Sequence, residues 1–104
     1  MVEILQATTP TFILTVPNSV DLSVVRNLCF SLKQNNSVLI NKYIDSLTVE
    51  GQTVSVFLTQ IETLQLSAGQ ATIQLNWLYN NGTRGGTYEV TITILDNLLK
   101  DVMT

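Results

Sequence analysis

Histidine is absent from these 104 residues, cysteine occurs once, and charge is scarce at 12% of the chain, against about a quarter in a typical globular domain. Each shortage closes a route. Without histidine the chain lacks the commonest general base and the commonest zinc or copper ligand. Cys29 has no imidazole to activate it and no second thiol for an intrachain disulfide. The five cations, Arg26, Lys33, Lys42, Arg84 and Lys100, stand singly in a chain of net charge −3, whereas nucleic-acid binding needs clustered Lys and Arg to displace phosphate counterions. No apolar run approaches the roughly 20 residues that span a bilayer as a helix. The expectation is a non-enzymatic chain with no cofactor, no metal and no small-molecule substrate, and with neither nucleic acid nor membrane as a partner. The start, Met1-Val2-Glu3-Ile4-Leu5-Gln6, has neither the basic nor the apolar segment of a secretory signal, so synthesis in a reducing cytoplasm is expected.

What is present is alternation. The runs 71–79 (ATIQLNWLY) and 87–94 (TYEVTITI) flank the turn-rich segment 80–86 (NNGTRGG). Period-two patterning of this length marks strands with one buried and one wet face, and Asn-Gly between such runs is a hairpin signal. Arg26–Gln34 alternates too, with Leu28, Phe30 and Leu32 on one face. Asn35-Asn36 tolerates positive φ and reverses the chain into Ser37–Lys42. Ser46–Val49 and Thr53–Thr59 form a further pair around Gly51, with Val54, Val56 and Leu58 sharing a face. Residues 2–8 and 11–16 read as one strand or two, broken near Pro10. Pro17–Asp21 is a connection, with a helical turn over Leu22–Val25. The triplets Asn35-Asn36-Ser37 and Asn81-Gly82-Thr83 are read as turn chemistry rather than glycosylation sites.

Two segments depart from this grammar. Thr59-Gln60-Ile61-Glu62 is a capping box and opens a short helix over about residues 60–65, which crosses from one sheet to the other. At the C-terminus, Asn97 is placed to cap a second short helix that gathers Leu98, Leu99, Val102 and Met103 on one side. With no linker or repeat, residues 1–104 form one domain, 96–104 being its helical tail. The expected fold is all-β: an immunoglobulin-like antiparallel β-sandwich of about seven strands, with one crossover helix and the C-terminal helix.

Few side chains here carry chemistry. Asp45, Glu50, Glu62 and Glu89 sit at turns, a cap or an outward strand position rather than as a catalytic pair. Gly82, Gly85 and Gly86 connect strands with no following helix to hold an anion, so turn geometry or a bulge accounts for them. Trp77 and Tyr79 fall on the Ile73/Leu75 face and Tyr88 on the Val90/Ile92 face, which makes them core; Tyr43, beside a turn, is freer. Leu98, Leu99, Val102 and Met103 are the candidate interface, either folding back over an open end of the sandwich or contacting a partner. The low charge has two readings as well: Thr, Ser, Asn and Gln solvate the outer faces, or another chain covers part of the surface.

The motifs have a recognisable order. Thr8-Thr9-Pro10-Thr11 with Pro17, then Gly51-Gln52-Thr53-Val54-Ser55-Val56-Phe57-Leu58-Thr59-Gln60-Ile61-Glu62-Thr63-Leu64, then Ile73-Gln74-Leu75-Asn76-Trp77 resemble small prophage-encoded proteins of Firmicutes. Those proteins carry TTPT-x-x-x-x-P, which here has one residue more before Pro17, then G-x-x-V-S-V-x-L-T-Q-x-E-T-L and I-Q-L/V-N-W in this order, and are similar to the immunoglobulin-like N-terminal domain of phage upper-baseplate proteins. The resemblance implies a structural or accessory protein of a phage tail or baseplate, located in the virion after synthesis in the host cytoplasm. Its partners would be other tail or baseplate proteins or copies of itself. None of the motifs is catalytic, so no active-site residue is implied. The rival reading is a carbohydrate-binding module that recognises a host cell-wall glycan through Tyr43 or Trp77.

Overall fold

The computed structural model describes residues 2–87 and 89–104; the expectation for Tyr88 lies outside them. The described residues form nine strands and one α-helix: β1 (Glu3–Leu5), β2 (Thr11–Thr15), β3 (Val25–Gln34), β4 (Ser37–Tyr43), β5 (Thr48–Glu50), β6 (Thr53–Phe57), α1 (Gln60–Leu64), β7 (Gly69–Tyr79), β8 (Arg84–Gly86) and β9 (Val90–Leu95). The larger sheet has the order β1-β9-β7-β3-β4, with β8 also on β7, and the smaller has the order β2-β6-β5.

The alternation read from the sequence is the reason these two layers stack. Register pairs Leu28 with Trp77, Phe30 with Leu75 and Leu32 with Ile73, so the apolar phases of β3 and β7 coincide on the inner face. Opposite them lie Phe12 of β2 and Val54 and Val56 of β6 in the same buried cluster. Across the two layers the rings of Phe12 and Phe30 stack with centroids 5.7 Å apart. Slipping either strand by one residue would turn its whole apolar set outward, so burial itself holds the register.

Local signals act as expected at the turns. Asn35 and Asn36 adopt φ of 54° and 65°. At α1 the Glu62 N–H donates to Thr59 Oγ1 at 3.2 Å and the Thr59 N–H donates to Glu62 Oε1 at 2.9 Å, which completes the capping box. The helix carries the chain from the small sheet to the large one. Thr63, fully buried, donates its hydroxyl to the Thr8 carbonyl at 2.8 Å and ties α1 to the β1–β2 connection.

The order β2-β6-β5 against β9-β7-β3-β4 is that of an immunoglobulin-type sandwich whose first strand lies beside the last strand instead of the second. Four expectations are corrected. The sandwich is not wholly antiparallel, because β1 pairs with β9 in parallel, Ile4 opposite Ile94; strands from opposite ends of a chain have no hairpin to impose an antiparallel sense. Residues 2–16 take the two-strand alternative, in different sheets, and with β8 the count is nine where about seven were expected.

Gly85 and Gly86 are not a turn: they pair with Trp77 and Asn76 in β8. A Cβ at residue 85 would collide with the Trp77 indole, and one at residue 86 would come within 2.8 Å of Asn76 Oδ1, so glycine permits the close approach of β8. The Trp77 Nε1 donor, lodged there, has no hydrogen-bond partner among the described residues.

Finally, residues 96–104 form no helix. So short a helix is marginal on its own, and the tail instead gains hydrogen bonds along an irregular, bent path.

Candidate interaction surface

Two buried or bridging glutamines hold that path. Gln6 donates to the Leu66 carbonyl, and its Oε1 accepts from the Asn97 N–H at 3.3 Å, while Asn97 Nδ2 donates to the Gln6 carbonyl at 2.8 Å. Six residues on, the Met103 N–H donates to Gln60 Oε1 at 2.8 Å and Gln60 Nε2 returns a bond to the Met103 carbonyl at 3.0 Å. The tail is thereby strapped from the end of β9 to α1.

Of the candidate interface residues, Leu98 is fully exposed, Met103 is 69% exposed, and Leu99 and Val102 are exposed too. The structure therefore does not gather the four onto one helical face. It sets them along an irregular strap on which all four are exposed. Ile61 of α1 is also exposed beside the strap's anchor at Gln60.

The same pole carries the best-supported ion pair. Lys42 Nζ, from β4, lies 2.8 Å from Glu62 Oε1 and donates to the Phe57 carbonyl at 2.9 Å. Partial burial by itself raises the Glu62 carboxyl. The Lys42 hydrogen bond and charge, with the bonds at Thr59, outweigh that and hold it below its ordinary value.

A second surface lies on the small sheet and was not singled out in the sequence. The Val16 N–H donates to the Gln52 carbonyl at 2.9 Å and the Leu58 N–H to the Pro10 carbonyl at 3.0 Å. This phase turns the main-chain N–H and C=O groups of Thr11, Ile13 and Thr15 away from β6, and among the described residues no strand lies beyond β2. Residues 4–20 contain no charged side chain. On the outer face here, Ile13 is 69% and Phe57 50% exposed, and the two are diagonal neighbours across the β2–β6 pairing. The signal available in the sequence was this uncharged stretch containing an alternating run.

The remaining sequence candidates fall where burial and pairing put them. Cys29 is half-buried on β3. Glu89 faces Lys33 at 3.7 Å, and Asn81 Oδ1 accepts from the Thr83 N–H and hydroxyl within the β7–β8 turn. Trp77 is only 6% exposed and belongs to the core, with Tyr79 packed against it; Tyr43 is 55% exposed. Trp77 is thus no stacking platform for a sugar.

Among the described residues no three of Cys, Asp and Glu converge as a metal-ligand group, and no helix is long and apolar enough to cross a membrane. No protein-family model matches the chain, and no curated protein matches it.

Proposed function

We propose that this domain is a non-enzymatic structural or accessory protein of a phage tail or baseplate that works by docking to other proteins. The observation that carries the docking is the open edge of β2. Three alternate residues, Thr11, Ile13 and Thr15, turn main-chain donors and acceptors to the open edge, with the Ile13 and Phe57 side chains exposed on the outer face and no charge along the strand. Such an edge is a template for adding a strand from another chain. The strapped tail, with Leu98 and Met103 outward, supplies a second apolar contact. The placement in a tail or baseplate is supported by the order of the TTPT, G-x-x-V-S-V and I-Q-L-N-W motifs described above.

The test follows the tagged chain through phage production in a lysogen that encodes it. The expected result is co-purification with tails or particles, or failed tail assembly when it is removed. Ile13→Lys and deletion of 98–104 should each weaken that incorporation while leaving the β signature in circular dichroism. A chain that neither enters particles nor affects their formation overturns the proposal.

A further inference from the structure

The outer face of the large sheet holds a depression of about 400 Å3, walled by β3, β4, β7 and β8. Register runs Tyr43, Cys29, Asn76 and Gly86 in one row across it, and period two places these side chains on the same face as Asn27 and Asn41. Its polar groups are biased in one direction. Asn27 Oδ1 accepts from the Leu28 N–H at 2.9 Å, Asn41 Oδ1 from the Ser31 hydroxyl at 2.6 Å, and Asn76 Oδ1 from Arg84 Nη2 at 3.5 Å. Each carboxamide oxygen already accepts a bond within the protein, whereas none of the three –NH2 groups donates one among the described residues, so the free hydrogen-bonding capacity is weighted toward donors.

The charge is biased as well. All three lysines have carboxylate partners, whereas Arg84 has none among the described residues, and no Asp or Glu lines the depression. In an acidic chain this is a donor-rich, cationic hollow with an exposed phenol ring at its rim.

We propose that this hollow binds an acidic saccharide: a hydroxyl-rich ligand carrying a carboxylate or a phosphate. Its anionic group meets the Arg84 guanidinium and the Asn76 amide, because charge-assisted bonds to a planar guanidinium are the strongest available here. Its hydroxyl oxygens accept from Asn27 and Asn41, and an apolar ring face lies on Tyr43, whose ring is flat, exposed and polar at its tip. The floor residue Cys29 lies beneath the ligand. This site is separate from the β2 edge and from the tail, so it stands or falls independently of the docking proposal.

The test uses the intact chain and three probes: trigalacturonate for the carboxylate, glucose 1-phosphate for the phosphate, and maltotriose as the neutral control. Binding is read by amide chemical shifts, and location by the rate at which N-ethylmaleimide alkylates Cys29. At least one acidic probe should bind with a Kd of about 1 mM or tighter, roughly tenfold better than maltotriose, and should slow Cys29 alkylation. Whichever acidic probe binds identifies the anionic group.

Arg84→Gln and Asn41→Asp should each weaken acidic binding by about tenfold or more, the second by adding a like charge at nearly constant shape, and Tyr43→Ala should weaken both acidic and neutral probes. No acidic binding by about 10 mM, equal affinity for maltotriose, an unchanged alkylation rate under saturating probe, or indifference to Arg84→Gln would each overturn the proposal. The alkylation readout needs no variant, so a misfolded mutant leaves the test intact.

Discussion

The strand edges of the two sheets are treated differently, and the contrast bears on function. β1 and β5 are three-residue strands bearing Glu3 and Glu50. β4 carries Lys42, which is tied to Glu62, and its pairing with β3 shifts register between Leu32 and Lys33. Where β9 stops pairing with β7 at Ile73, β8 covers Asn76–Leu78. Short length, charge, bulges and a covering segment are the usual means of keeping a sheet edge from recruiting another chain. The five-residue β2 has none of them. Among the described residues such protection is present at every other edge, and its lack at β2 is the observation on which the docking proposal rests.

The largest effect should come from cutting the open edge loose from within. Phe12→Ala removes the ring that stacks on Phe30 and should cost about 3–5 kcal/mol, read as a lower denaturant midpoint. Its outward neighbour Ile13→Ala should change stability by less than about 0.5 kcal/mol, although both residues lie on the same strand. Equal losses would erase the distinction between the anchored and offered faces of β2.

Next in size, Gly85→Ala drives a methyl group into Trp77 and should cost about 1–3 kcal/mol. It should also speed hydrogen exchange at the β7 amides that β8 covers. Glu62→Gln, at the protected β4 edge, loses the Lys42 pair and weakens the capping box, for about 1 kcal/mol.

Its pH signature has a definite sign. Because the folded Glu62 carboxyl lies below its ordinary value, its contribution is present above the unfolded carboxylate value and fades as pH falls through the depressed one. Stability of Glu62→Gln should therefore be flatter than that of the parent on the acid side. A steeper acid loss in the variant would contradict the assigned partners.

The smallest effect on stability and the sharpest on the comparison is Ile13→Lys. It should leave the denaturant midpoint within about 0.5 kcal/mol while reducing any mass in solution above that of the monomer.

How much of this was legible follows from the range of each interaction. The inward phases of β3, β6 and β7, the Asn35-Asn36 turn and the capping box all rest on residues within four positions of one another, where periodicity and side-chain-to-backbone bonds act directly. Gln34 was legible in principle: it continues the Leu28-Phe30-Leu32 phase inward, where a buried carboxamide must find partners. It bonds the Ser67 N–H and carbonyl and the Gln70 carbonyl. The tail helix failed because its alternative, the Gln60–Met103 bonds, joins residues 43 positions apart, which no local pattern reports. Gly85 and Gly86 looked like turn residues for the same reason: what demands glycine there is the Trp77 ring on a neighbouring strand.

The sequence by itself determined which side of each long strand is greasy, where the chain turns, and that its reactive inventory is small. These follow from side-chain type and spacing along a pleated backbone. Only the tertiary structure decided that β1 leaves β2 to lie beside β9, that the apolar tail forms a strap instead of a helix, and that three asparagines and Arg84 converge on one hollow. Each of those depends on partners far apart in the chain, where free energy comes from closing the fold and not from any local preference.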